Sequence, residues 1–323
     1  MQYGAKSMSI IKRACKKVLP ESVQRVAINK LKKDRRIRLV YQADEVVLDA
    51  KGGAISGVVP LIYWDGKPNF GDMIGPYLIS KISGKPVVNV KDTNAPGYMS
   101  VGSILQLVNR KGLIVWGSGL IDAPSNELAC RLSKYNPRIL SVRGSETATQ
   151  LKRIGLEIAN LEASGDPALL MPRFYSPKSI AAETDVAVCP HYLHKQNFLN
   201  MTFEGEVSIV DVQENLEVVI DKITSARVCV SSSLHGLIIA QAYGIPWVWL
   251  EVVDKKLGGG DFKFNDFFST LDSSQVSRVQ VKLEELEDIE WRKLAEKAFL
   301  PNKKYKEHLI LDVIENQLGQ ALT

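Results

Sequence analysis

The run from Ala226 to Leu250 constrains the fold more tightly than any other part of the chain. Ala226 to Val230 is short and apolar, the signature of a buried strand. Ser231-Ser232-Ser233-Leu234-His235-Gly236 is a polar turn, and the residues after it read as an amphipathic helix stopped at Gly244, with Pro246 just beyond. Trp247 to Leu250 is a second strand. Strand, turn, helix, strand is half of a doubly wound unit, and such sheets bind ligands at the carboxyl ends of their strands. The turn holds three hydroxyls, the free amides of a helix start and one imidazole, groups suited to an anion that must also exchange a proton. The plainer alternative is a serine-rich helix cap beside a core histidine.

The same alternation recurs along the chain. Val58 to Trp64 reads as a strand, and a loop through Asn69 leads to Asp72, where Met73, Ile74, Tyr77, Leu78 and Ile82 take up helical spacing. Asp72 either caps that helix or offers a carboxylate able to take a proton from a hydroxyl. Strands are expected over Lys85–Val90, Gly112–Leu120, Arg138–Val142, Asp185–Cys189 and Val207–Val212, with helices over Gln213–Thr224, 283–299 and 302–318. Gly117 and Ser118, in a Gly-Ser-Gly turn, bring backbone close to a cleft. Arg143 ends a strand where a guanidinium can grip carboxylate or phosphate, or serve a structural ion pair; Ser145 is the expected cap of the next helix. Gly258-Gly259-Gly260 reads as a hinge able to carry Lys263 into the cleft. The fold expected is α/β, with two Rossmann-like doubly wound domains and a cleft between them. Its expected divisions are a basic segment at 1–40, a first domain at 41–172, a second at 173–282 and terminal helices at 283–323.

Charge is unevenly spread. Residues 1–40 carry twelve Lys or Arg against Glu21 and Asp34, a net of +10, whereas the rest carries 29 basic and 34 acidic residues, a net of −5. A general nucleic-acid surface is therefore not indicated. Residues 8–38 form basic amphipathic stripes broken at Pro20, suited to an anionic membrane face or to a solvated helix side. No apolar run reaches the length of a membrane span. Four scattered cysteines without a Cys-x-x-Cys pair fit a cytoplasmic protein, peripheral at the inner membrane face if the basic segment binds there. Cys189, His191 and His194 lie close in sequence, but on a strand end they diverge, and no metal site is expected. Neither an Asp-x-Asp pair nor a phosphate-binding Walker loop occurs.

Taken in order, Asn69-Phe-Gly-Asp72, Trp116-Gly-Ser-Gly119, Ser141-Val-Arg-Gly144, Gly165-Asp-Pro-Ala168, Pro190-His-Tyr192 and Ser233-Leu-His-Gly236 resemble the polysaccharide pyruvyl transferases, and in particular the bacterial exopolysaccharide ketal pyruvyltransferases of the succinoglycan ketalase type. The similarity runs from about Tyr63 to Leu271. The resemblance implies a glycosyltransferase-B-like fold, phosphoenolpyruvate (PEP) as donor substrate with no other cofactor, and ketal formation on two hydroxyls of a sugar with release of phosphate. It implies His235 as the acid and Arg143 as the donor-gripping arginine; Asp72 is the expected base. Asn69, Gly117, Ser118, Ser232, Ser233 and the Leu234 amide complete the expected binding set. Many relatives place a second arginine where this chain has Ser233, so the charge must be compensated otherwise, by Lys263, Arg173, Lys195 or the helix N-terminus. The acceptor implied is a lipid-linked oligosaccharide. A metal-independent glycosyltransferase with a nucleotide-sugar donor, or a non-catalytic polysaccharide-assembly protein, are the alternatives on this fold.

Overall fold

The computed structural model describes residues 57–178, 184–199, 201 and 206–320. The segment 1–40, and with it the membrane contact expected at 8–38, lies outside the described residues. The first sheet comprises β1 (Val59–Ile62), β2 (Val87–Asn89), β3 (Gly97–Met99), β4 (Leu113–Trp116) and β5 (Arg138–Ser141), in the order β2-β1-β3-β4-β5. The second comprises β6 (Thr184–Cys189), β7 (Val207–Ile209), β8 (Ala226–Ser231), β9 (Trp247–Val252) and β10 (Arg278–Val281), in the order β10-β9-β8-β6-β7. Every strand pairing is parallel. Parallel strands are covered on both faces and so read as continuous apolar runs; β9 is buried at every residue. Counted within its own half, each sheet has the same strand order, 2-1-3-4-5, although no repeat is visible in the sequence.

Helices connect the strands. α1 (Phe70–Ser83) follows β1 and ends at Gly84, whose φ of 65° lets its amide reach the Ser80 carbonyl. α2 (Asn126–Tyr135) and α3 (Ser145–Arg153) flank β5; α4 (Lys195–Leu199) and α5 (Leu216–Thr224) lie between β6 and β8. α6 (Leu234–Ala242) follows β8 and stops where expected: Ile245 N–H bonds Ala240 O at 2.9 Å around Gly244, which has a φ of 74°. Its expected amphipathic character is not found, because only His235 and Ala242 are less than fully buried. The second sheet covers one side of α6, and a buried 3-10 segment, Pro167–Arg173, covers another.

Four other expectations change. Ser145 is inside α3 and Gly144 is the cap; the Gly144 backbone runs against the Asp266 carbonyl so closely that no side chain fits there. The strand expected to reach Val212 ends at Ile209, because the Val212 carbonyl turns to accept the amide of Phe70 at 2.8 Å, joining the second sheet to the start of α1. Over 283–299 there is a 3-10 turn, Leu283–Asp288, and a short α8 (Trp291–Ala295), while α9 (Glu307–Gln320) begins five residues later than expected.

α9 packs against β5 and the Pro167–Arg173 segment, and the Trp116 indole donates to the Ile310 carbonyl at 2.8 Å. One hydrophobic cluster runs through both halves, from Phe70, Ile74 and Trp116 to Leu237, Trp247 and Phe267. α7 (Phe262–Phe268) is held against the first half by the loop before it, where Gly259 (φ 79°) lies so tightly on the Ile121 carbonyl that a side chain has no room.

Candidate functional site

In a 2-1-3-4-5 sheet the winding reverses between the first and third strands, and the carboxyl ends there leave a crevice. Here those switch points are β1/β3 and β6/β8. The chain beyond β1 carries Asn69 and Asp72, and beyond β3 it carries Ser103. Beyond β6 comes His191, and beyond β8 come Ser232, Ser233, Leu234 and His235. The imidazole of His235 lies directly against the Gly71 backbone, which tolerates no Cβ there, and meets the Phe70 ring edge-on at 6.4 Å. The first turn of α1 and the first turn of α6, one from each half, are therefore in contact.

Four of the expected groups, Asp72, Arg143, His235 and Lys263, act on one another electrostatically. Asp72 is largely buried; loss of hydration raises its pKa to about 6, against the pull of the Asn69 amide at 2.9 Å and the charge of Lys263. Burial lowers Lys263 to about 8, reinforced by Arg143 and opposed by Asp72. Burial, then the positive charges of Arg143 and Lys263, hold His235 down at about 3, so its ring is neutral. Among the described residues its Nε2 is buried without a partner. An unpaired buried nitrogen costs about 1–3 kcal/mol.

Arg143 is fully buried and already well bonded. Its Nε donates to Asp266 at 2.9 Å, one Nη to the Ser103 hydroxyl at 2.6 Å and the other to the Leu120 carbonyl at 2.7 Å. One N–H on each terminal nitrogen is left over. Asp266, which no pattern in the sequence singles out, also accepts from the Thr147 amide (2.8 Å) and hydroxyl (2.7 Å). Arg143 is therefore half of a buried ion pair between the turn after β5 and α7, as one of its two expected readings had it, and its charge acts on His235 and Lys263. Gly119 supplies the space, since a Cβ there would meet the guanidinium.

The remaining expected residues divide by what they touch. Ser118 is fully buried and its hydroxyl donates to Gly102 O at 2.8 Å, shaping the loop that carries Ser103. Gly117 (φ 70°) takes the ring of Pro167 at close range, so the close approach expected at this turn is made by the protein's own backbone and side chains. Ser233 caps α6 with its carbonyl accepting from Leu237 at 3.2 Å, and Leu234 begins that helix. Of the three candidate cations, Arg173 stands 4.0 Å from Glu307 and Lys195 binds Asp211 at 2.6 Å; only Lys263 couples to His235, Arg143 and Asp72.

His191 is the group whose place the sequence did not reveal. Its pKa is lowered to about 3 by burial and by the nearby Lys263, His194 and His235. The Leu193 amide donates to its Nδ1 at 3.2 Å, which leaves the ring proton on Nε2. Ser232 holds its backbone: the hydroxyl accepts from the His191 amide at 3.0 Å and lies 3.0 Å from His194 Nδ1. His194 Nε2 lies 2.7 Å from the Lys255 carbonyl, which can only accept, so Nε2 is protonated and Ser232 donates to Nδ1. Among the described residues no group of three or more His, Cys, Asp or Glu is arranged to hold a metal, and no helix is long and apolar enough to cross a membrane.

The fold and the site thus define an α/β protein of two parallel sheets whose switch points share an imidazole, a carboxylate and two cations. Comparison narrows that class. The model of the polysaccharide pyruvyl transferases matches residues 91–254, half of the chain, and a 209-residue stretch is 29% identical to an uncharacterised protein of Acanthamoeba polyphaga mimivirus, covering 62% of this chain and 70% of that one. The chain belongs to the polysaccharide pyruvyl transferase family and is a transferase. The match includes Trp116–Gly119, Arg143, His191 and Ser232–His235, and leaves Asp72 and Lys263 on either side.

Proposed function

We propose that this protein is a ketal pyruvyltransferase that takes pyruvate from PEP and fixes it across two hydroxyls of a sugar in a lipid-linked repeat unit. The reading places the donor between two Rossmann-like domains in a glycosyltransferase-B-like cleft, with the division near 172, and assigns the basic segment 8–38 to an anionic membrane face on the cytoplasmic side. Supporting it are the family and the charges: two cations, Arg143 and Lys263, act together on a neutral imidazole.

The chemistry follows from those charges. Free His235 is a poor acid because it carries no proton near neutrality. A trianionic donor lying against Arg143 and Lys263 cancels the charges that add to burial in keeping the ring neutral, and its own negative charge opposes the burial penalty, so in this reading donor binding raises the pKa of His235 and lets it take up a proton. In this reading Nε2 then delivers the proton to carbon 3 of PEP, carbon 2 becomes electrophilic, and a sugar hydroxyl adds there while Asp72 accepts its proton. The second hydroxyl then bonds to carbon 2 as the carbon–oxygen bond to phosphate breaks; its proton leaves with the phosphate, closing the ketal and freeing inorganic phosphate. The neutral Nε2–H of His191 donates to the donor's oxygens without competing for the acid's role. Lys263 stands in for the arginine that Ser233 replaces.

The observation that carries this reading is the buried, unpartnered Nε2 of His235 under the charge of Arg143 and Lys263. The test is phosphate release from PEP in the presence of lipid-linked oligosaccharides, with the product's mass. A gain of one pyruvyl ketal supports the reading; hexose transfer from a nucleotide sugar, with no PEP consumed, overturns it.

A further inference from the structure

Beside the site lies an open groove of about 390 Å³ between α1 and the chain that leads into α5. We infer that this groove binds the acceptor as a neutral oligosaccharide, lying over Met73, Tyr77 and Leu216 and hydrogen-bonded by Asn69, Asn215 and Glu217. The inference rests on the transferase reading above and gives it a location for the second substrate.

Four observations support it. The volume falls within the range of about 300–1,000 Å³ usual for small-ligand sites. The floor is apolar and one wall aromatic, with the Tyr77 hydroxyl placed between the Phe174 carbonyl at 3.3 Å and the Glu217 carboxylate, an arrangement that suits the C–H face of a sugar ring. The polar groups are amides and carboxylates. Asn215 Oδ1 is used by the Glu217 amide at 3.0 Å, leaving its NH₂ to donate; Asn69 gives its NH₂ to Asp72 and keeps an oxygen to accept. Among the described residues no lysine or arginine lines the groove, while Glu214 and Glu217 do, and the nearby Lys195 and Lys222 are paired with Asp211 and Glu214. That electrostatic balance repels an anion such as the donor and accepts a ligand whose many hydroxyls both donate and accept. Asn69 is shared: it lines the groove and holds Asp72 at 2.9 Å, so a hydroxyl at the groove's inner end lies next to the proposed base.

Binding is measured on the full chain without donor, by saturation-transfer NMR with cellobiose, lactose and the methyl glycosides of glucose and galactose. At least one probe is expected to give signals that disappear in Met73→Trp, which fills the floor, and weaken by about ten-fold or more in Glu217→Gln. Both variants are first required to melt within a few degrees of the parent. Signals unchanged by Met73→Trp, or absent for every probe, overturn the groove. Because no PEP is present, failure of the transferase reading is seen separately, as sugar binding that persists while PEP releases no phosphate.

Discussion

At the scale of single residues, two pKa values bracket the proposed reaction. Asp72 near 6 must be ionised to accept a proton, and Lys263 near 8 must be protonated to hold an anion. The profile of kcat/KM for PEP reports free-enzyme groups. It is expected to rise with pH through about 6 and fall through about 8. Asp72→Asn is expected to remove the acid limb and Lys263→Arg to push the alkaline limb far upward, because a guanidinium keeps its proton. Unmoved limbs in those variants would remove both assignments. His235→Gln keeps a polar side chain and loses the acid, so kcat is expected to drop by about 10²–10⁴-fold in phosphate-release assays. The buried partner of Arg143 makes a different prediction. Asp266→Ala strands a guanidinium with no access to water, which costs about 3–5 kcal/mol, read as a large fall in urea midpoint together with lost activity. The exposed pair Lys303–Glu307, at 2.8 Å, serves as the control, with an effect below about 1 kcal/mol.

At the scale of elements, much of the strand–turn–helix alternation was legible, because each buried parallel strand is a short apolar run and each helix ends on a local signal such as Gly84 or Gly244. Where expectation failed, a contact from a distant part of the chain had overridden the local pattern. The strand to Val212 is cut short by the Phe70 amide, and the cap of α3 passes from Ser145 to Gly144 because α7 presses on it. The same reason hid Asp266 and His191. Asp266 sits on a seven-residue helix among phenylalanines, and its role exists only because Thr147 and Arg143 lie across from it. His191 looked like one of three neighbouring but diverging side chains until β6 and β8 paired and set its amide on Ser232. Gly144 tests this coupling of elements. Its φ of −164° suits any residue, so the penalty of Gly144→Ala is purely steric, the methyl meeting the Asp266 carbonyl. The variant is expected to loosen α7 from α3: amide exchange over 262–268 speeds up by an order of magnitude or more, while β6 to β8 stays protected. Uniform exchange across both sheets would mean that the two elements are not coupled in this way.

At the scale of the whole molecule, the site is built from groups that the protein keeps in their costly forms. His191 and His235 are buried neutral with pKa values near 3, and His194 is also lowered, whereas the unfolded chain binds a proton on each near 6.5. The unfolded state thus carries more protons over that interval, so the stability these rings contribute is complete above about 6.5 and is lost as pH falls toward 3. Asp72 and Asp166 act in the opposite sense. Burial raises both from 3.8 to about 6, so the native state holds extra protons between those values and gains stability as pH falls through them. The slope counts protons, and three histidines oppose two aspartates, while the lowered carboxyls of Glu162, Glu251 and Asp272 act in the histidines' sense, so the net slope follows the histidines. Calorimetry is expected to show the melting temperature falling steadily from pH 6.5 to 4.5. His191→Asn retains an acceptor for the Leu193 amide and cannot titrate, so its melting temperature is expected to fall less over the same interval. Parallel curves for the variant and the parent would show that His191 is not kept neutral by the fold. They would also remove the ground for treating its Nε2–H as a fixed donor at the site.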